Sequence, residues 1–81
     1  MVSNLSKYSD CFRSAFELSA DTDPSDLQYQ GIENWDSVGH MSLMSELEDT
    51  FDIVLEMDDI IDFSSYAKGL ETLAKYDVNF E

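Results

Sequence analysis

Apolar residues recur at helical spacing almost from the start of the chain. Over residues 4–19, Leu5, Tyr8, Phe12 and the pair Ala15-Phe16 recur three or four positions apart, with Leu18 close behind. Lys7, Asp10, Arg13 and Glu17 occupy the opposite side. This period predicts an amphipathic helix with one core-facing stripe. Residues 20–35 break it, because Asp21-Thr22-Asp23-Pro24-Ser25-Asp26 is dense in turn formers and Pro24 cannot continue a helix. A connection of this length is expected to cross from one end of the helices to the other, pinned by Leu27, Tyr29, Ile32 and Trp35.

The helical period resumes within residues 34–51. Gly31 and Asn34 mark loop, Asp36 is the expected N-cap, and Ser37 then takes the first helical position. Met44, Leu47 and Phe51 form the stripe, Leu43 widens it, and Glu46, Glu48 and Asp49 are expected to face water. Ile53-Val54-Leu55 has no second apolar run to pair with, so it reads as a connection dipping into the core. Residues 56–62 predict a short helix or turn, with Met57, Ile60 and Ile61 inward and Asp58, Asp59 and Asp62 outward. Ser64 or Ser65 is expected to cap a last helix over about residues 65–76, where Tyr66, Leu70, Leu73 and Ala74 share a face. Gly69 inside it costs about 1 kcal/mol relative to Ala, which points to a close contact between helices. The tail, residues 77–81, is expected to fray. Periodicity alone therefore predicts a small all-α fold.

With 81 residues there is room for one domain, residues 1–81, and no second core. Four basic residues against eighteen acidic ones give a formal charge of −14, which excludes nucleic acid and anionic membrane surfaces as natural partners. It favours proteins with basic patches, found by electrostatic steering, and a monomer held apart by like charge. Disorder is the competing reading of such charge, but 43% of the residues are hydrophobic and they lie in stripes. Cys11, the sole cysteine, allows no intramolecular disulfide and reads as a semi-buried filler in a reducing compartment. No signal-length apolar run or membrane span is visible, so a cytoplasmic location is expected.

The residues do not assemble into an enzyme. His40 is the only histidine, and neither Ser37 nor Cys11 has a second base to complete a triad. Asp21, Asp23 and Ser25 suggest a calcium loop, but its sixth position would be Asp26 rather than Gly and its twelfth Ile32 rather than Glu. With no zinc spacing either, no metal site is expected. Ser37 remains. Asp36 already supplies the cap, so the Ser37 hydroxyl is free at a helix tip, among unpaired amides that can hold a phosphate.

An Asp36-Ser37 pair opening a Leu-rich acidic helix that ends in Phe51-Asp52-Ile53 resembles the acyl carrier protein family. The motif covers about ten residues, and helix spacing extends the likeness over most of the chain. The resemblance implies a small four-helix bundle, three longer helices and a short third one, with a long loop between helices one and two. It implies that a phosphopantetheinyl transferase moves 4′-phosphopantetheine from coenzyme A onto Ser37. The arm would receive cargo as a thioester from a loading ligase or synthase and deliver it to an acyltransferase or ketosynthase. Tethering turns diffusion between enzymes into a local search.

Around the attachment point, Val38 is expected to touch the arm or a partner, and Gly39 to admit either of them close to the backbone. His40, three residues after Ser37, is expected to be either an exposed helix residue without special role or a donor to the phosphate. By the same resemblance, Val38, Met41, Ser45, Glu46, Glu48 and Asp49, with Asp58 and Asp59 nearby, form the surface that docks basic partners. The run Trp35-Asp36-Ser37-Val38-Gly39-His40 is more similar to stand-alone carriers of specialised polyketide, modified-sugar or aminoacyl pathways than to the primary fatty-acid carrier, and Glu56, where many carriers have Pro, is a further departure from the family pattern. Met41, Met44, Leu47, Ile60, Ile61 and Phe63 read either as packed core or as a pocket for an acyl chain. The cargo stays open between fatty acyl, polyketide and an amino acid as in D-alanyl carriers. The rival from another class is an acidic helical adaptor that is never modified.

Overall fold

In the computed structural model of the protein, which describes residues 3–80, four α-helices form and no strand is present among those residues. They are α1 (Asn4–Ala15), α2 (Ser37–Phe51), α3 (Met57–Asp62) and α4 (Tyr66–Ala74), with a 3-10 turn at Pro24–Asp26 in the first connection. No helix of the described residues is long and apolar enough to cross a membrane.

Ser3 starts α1 by accepting the Ser6 N–H on its hydroxyl at 3.1 Å. The helix stops at Ala15, short of the expected residue 19, because Glu17 turns into the left-handed region at φ 55°. The Leu18 N–H then closes back on the Arg13 carbonyl at 2.8 Å, a Schellman closure without a glycine. Asp52 (φ 54°) repeats this after α2, with the Ile53 N–H on Glu48 O at 3.1 Å. Asp77 (φ 66°) does so after α4, with the Val78 N–H on Leu73 O at 3.3 Å. That last reversal folds the tail inward rather than letting it fray: Val78 is buried and the Phe80 ring lies 5.3 Å from that of Tyr8. Glu81 lies outside the described residues.

The core is built around Phe12. Rings of Tyr8, Tyr66, Trp35 and Phe16 surround it at 4.9, 5.1, 5.5 and 5.9 Å, at the tilted and edge-on angles that aromatic quadrupoles favour. Leu43, Met44 and Leu47 enter from α2, Phe63 from the α3–α4 junction and Leu73 from α4. The Tyr8 hydroxyl donates to Tyr66 O at 2.6 Å, and burial pushes its pKa far up, so it stays a donor. Cys11 is buried with its thiol on Thr50 Oγ1 at 3.3 Å. Leu5 is exposed rather than in the stripe, on the first turn of α1. In α4, Ser65 is the cap, Gly69 and Thr72 are buried, and Ala74 is exposed against expectation.

The long connection is tied at both ends. Asn34 Nδ2 donates to Phe16 O at 2.7 Å, satisfying a carbonyl at the end of α1. The Tyr29 N–H donates to Ser64 O at 2.8 Å and the Tyr66 N–H to Leu27 O at 3.0 Å, an antiparallel bridge onto the start of α4. Trp35 is fully buried, Leu27 and Ile32 half-buried, and Tyr29 37% exposed. In the second connection only Leu55 is buried while Val54 stands in solvent.

Candidate functional site

The site forms where the long connection meets the start of α2. Asp36 adopts extended backbone and its Oδ1 accepts the Gly39 N–H at 2.9 Å, so the expected cap is present. Ser37 is the first helical residue and is exposed. The amides beside it lie in the turn that has no intrahelical acceptors, at the positive end of the helix dipole. Its Oγ lies 3.3 Å from the Tyr29 hydroxyl.

Gly39 is buried. A Cβ built there would sit 1.9 Å from the Asn34 carbonyl oxygen, so its small size lets the connection seat against α2 rather than admitting a partner. His40 departs from both expectations. It is half-buried, and the Trp35 indole N–H donates to its Nδ1 at 2.9 Å. An indole nitrogen only donates, so Nδ1 carries no proton, and Nε2–H must donate to Ile60 O at 2.8 Å. Both ring nitrogens are committed. His40 bolts the connection and α3 to α2 and has no proton to offer a phosphate.

A second clasp holds α3. Asp59, expected outward, is only 9% exposed; Lys75 Nζ forms an ion pair with its Oδ1 and the Tyr76 hydroxyl donates to its Oδ2 at 2.5 Å. Capturing Asp59 and the Ile60 carbonyl fixes the roll of this six-residue helix, which turns Met57 and Ile61 outward at 67% and 70% exposure. The Lys75 bond, then the Tyr76 bond, hold the Asp59 carboxyl below its ordinary value, with Lys68 adding to the attraction. A depressed carboxylate pKa gives stability that is complete above the ordinary carboxylate range and disappears as pH falls through the lowered value. Asp59→Asn should therefore melt lower than the wild type at neutral pH, and the two melting temperatures should converge on acidification. Thermal melts from pH 7 downward check this.

Between α2 and α3 the outward roll opens a groove of about 390 Å³ that starts at Ser37. Met41, Ile60, Ile61 and Phe63 line it as the pocket reading expected, whereas Met44 and Leu47 belong to the packed core. Tyr29, His40, Met57 and Ser64 complete it. Tyr29 and Ser64 escaped the sequence reading because nothing local ties a loop tyrosine to a serine thirty-five residues on. Only the bridge to α4 brings them together.

Of the residues expected to dock partners, Val38 (77% exposed), Met41, Ser45, Asp49 and Asp58 stand in solvent. Glu46 is half-buried. Glu48 is also half-buried, and its Oε2 accepts the Leu55 N–H at 2.9 Å, so it braces the second connection. Asp59 is withdrawn into its clasp. No group of three His, Cys, Asp or Glu side chains among the described residues is placed to hold a metal ion. Comparison with family profiles, with curated proteins and with solved structures returns no match.

Proposed function

We propose that the protein is a phosphopantetheine-dependent acyl carrier and not an enzyme, its four helices forming the small bundle of that family. The observation that carries this reading is the Ser37 hydroxyl, exposed at the first position of α2 beside a cap supplied by Asp36 and opening onto an apolar groove. A transferase can approach such a hydroxyl from solvent. Ser37 Oγ attacks the pantetheine-bearing phosphorus of coenzyme A, the pyrophosphate P–O bond breaks, adenosine 3′,5′-bisphosphate leaves, and the serine proton passes to the transferase. The resulting phosphodiester lies at the positive end of a helix dipole. Val38 and Met41 offer an apolar anchor next to it, and Asp49 and Asp58 supply charge for basic partners such as the loading ligase and the receiving acyltransferase or ketosynthase.

The groove also bears on cargo. Among the described residues its lining contains no carboxylate, so the ammonium of an aminoacyl group would find no counter-charge there, whereas a fatty or polyketide acyl chain would bury apolar surface.

The test is an intact mass after incubating the purified protein with coenzyme A and a broad-specificity phosphopantetheinyl transferase. The wild type gains one arm and Ser37→Ala gains none. A wild type of unchanged mass would leave the unmodified acidic adaptor as the better reading.

A further inference from the structure

Tyr29 stands beside Ser37 with a hydroxyl that neither the cap of α2 nor the packing of its own ring uses. Its backbone is held by the Ser64 carbonyl, and its ring meets Trp35 edge-on at 6.4 Å and His40 at 5.3 Å. Those contacts fix the ring while the hydroxyl points out, 3.3 Å from Ser37 Oγ. In the unmodified protein either oxygen can donate, and the bond is long.

We infer that Tyr29 is a positioning residue for the arm: its phenol donates to the phosphodiester on Ser37 and turns the arm into the groove between α2 and α3. This rests on the carrier reading of Ser37. Esterification removes the serine proton, so between the two oxygens only the phenol can then donate. The acceptor becomes an anion, and hydrogen bonds to ionised acceptors are shorter and about twice as strong as neutral ones. From Ser37 two exits lie open. One runs along the outer face of α2 past Val38, Ser42 and Ser45; the other runs over Met41, Met57 and Ile61. Tyr29 lines only the second. A phosphate held on the Tyr29 side starts the arm in that direction.

The test uses holo-protein, wild type and Tyr29→Phe, a change that keeps the ring and removes only the O–H. Intact mass first establishes that the arm is attached. The phosphorus NMR resonance of the wild type should lie away from its position in urea, and that of Tyr29→Phe should move toward it. Proton contacts from the arm to the Met57 and Ile61 methyl groups should weaken in the variant. Coincident phosphorus resonances in the two folded proteins overturn the assignment of Tyr29 and leave the carrier reading intact. A wild type that accepts no arm removes both. Should Tyr29→Phe resist modification, wild-type holo-protein decides alone: contact between the Tyr29 ring protons and the first methylene of the arm supports the assignment, and its absence overturns it.

Discussion

Gly39→Ala should destabilise the protein by about 3 kcal/mol, although helix propensity alone predicts a gain of about 1 kcal/mol for the same change. The opposite signs make the experiment decisive. The added methyl would lie 1.9 Å from Asn34 O and 3.1 Å from Asn34 C, with Phe16 Cε1 at 3.3 Å. The first two are backbone atoms, and Asn34 cannot simply retreat because its side chain is bonded to Phe16 O. Relief requires moving the connection off α2, which unseats Trp35, its bond to His40 and the Asp36 cap together. For a domain this small the melting temperature should fall by about 10 °C or more. Urea unfolding followed by circular dichroism checks it; a midpoint equal to or above that of the wild type would show that Gly39 is not a packing glycine. The variant should also accept the arm more slowly, although Ser37 itself is untouched.

Gly69→Ala is the second large effect. Here a Cβ would meet Phe63 Cζ and Tyr8 Oη, each at 2.1 Å. Both rings are fully buried, and the Tyr8 hydroxyl is tied to Tyr66 O, so neither can swing aside without opening the core. Overpacking of this kind costs about 1–3 kcal/mol, and more where rigid rings are involved. Tyr8→Phe removes one of the obstructing atoms, so the double variant should lose less stability than the sum of the singles. Strict additivity in urea unfolding would contradict the contact.

Much of this was legible in the chain. The start of α2 could be read because Asp36 and Ser37 announce it locally, and Phe51 closes it where the stripe ends. Gly69 was readable as a close contact because nothing else excuses a glycine in that helix. The end of α1 was hidden because Glu17, not glycine, takes the left-handed turn. The facing of α3 was misread for another reason: six residues hold too little of a helical period, and Asp59 is turned inward by Lys75 and Tyr76, sixteen and seventeen positions away. His40 and Tyr29 were opaque in the same way, since their partners Ile60 and Ser37 meet them only through the tertiary fold. The candidate serine was visible; the groove and the phenol beside it were not.

Position within α2 offers the sharpest test of the central claim. Ser42 and Ser45 are exposed on the same helix but lie inside it, away from its unpaired amides. Fragmentation of the transferase-treated protein, read by tandem mass spectrometry, should place the whole phosphopantetheine mass on Ser37 and none on Ser42 or Ser45. An arm found on either of those serines, or on none of the three, would contradict it.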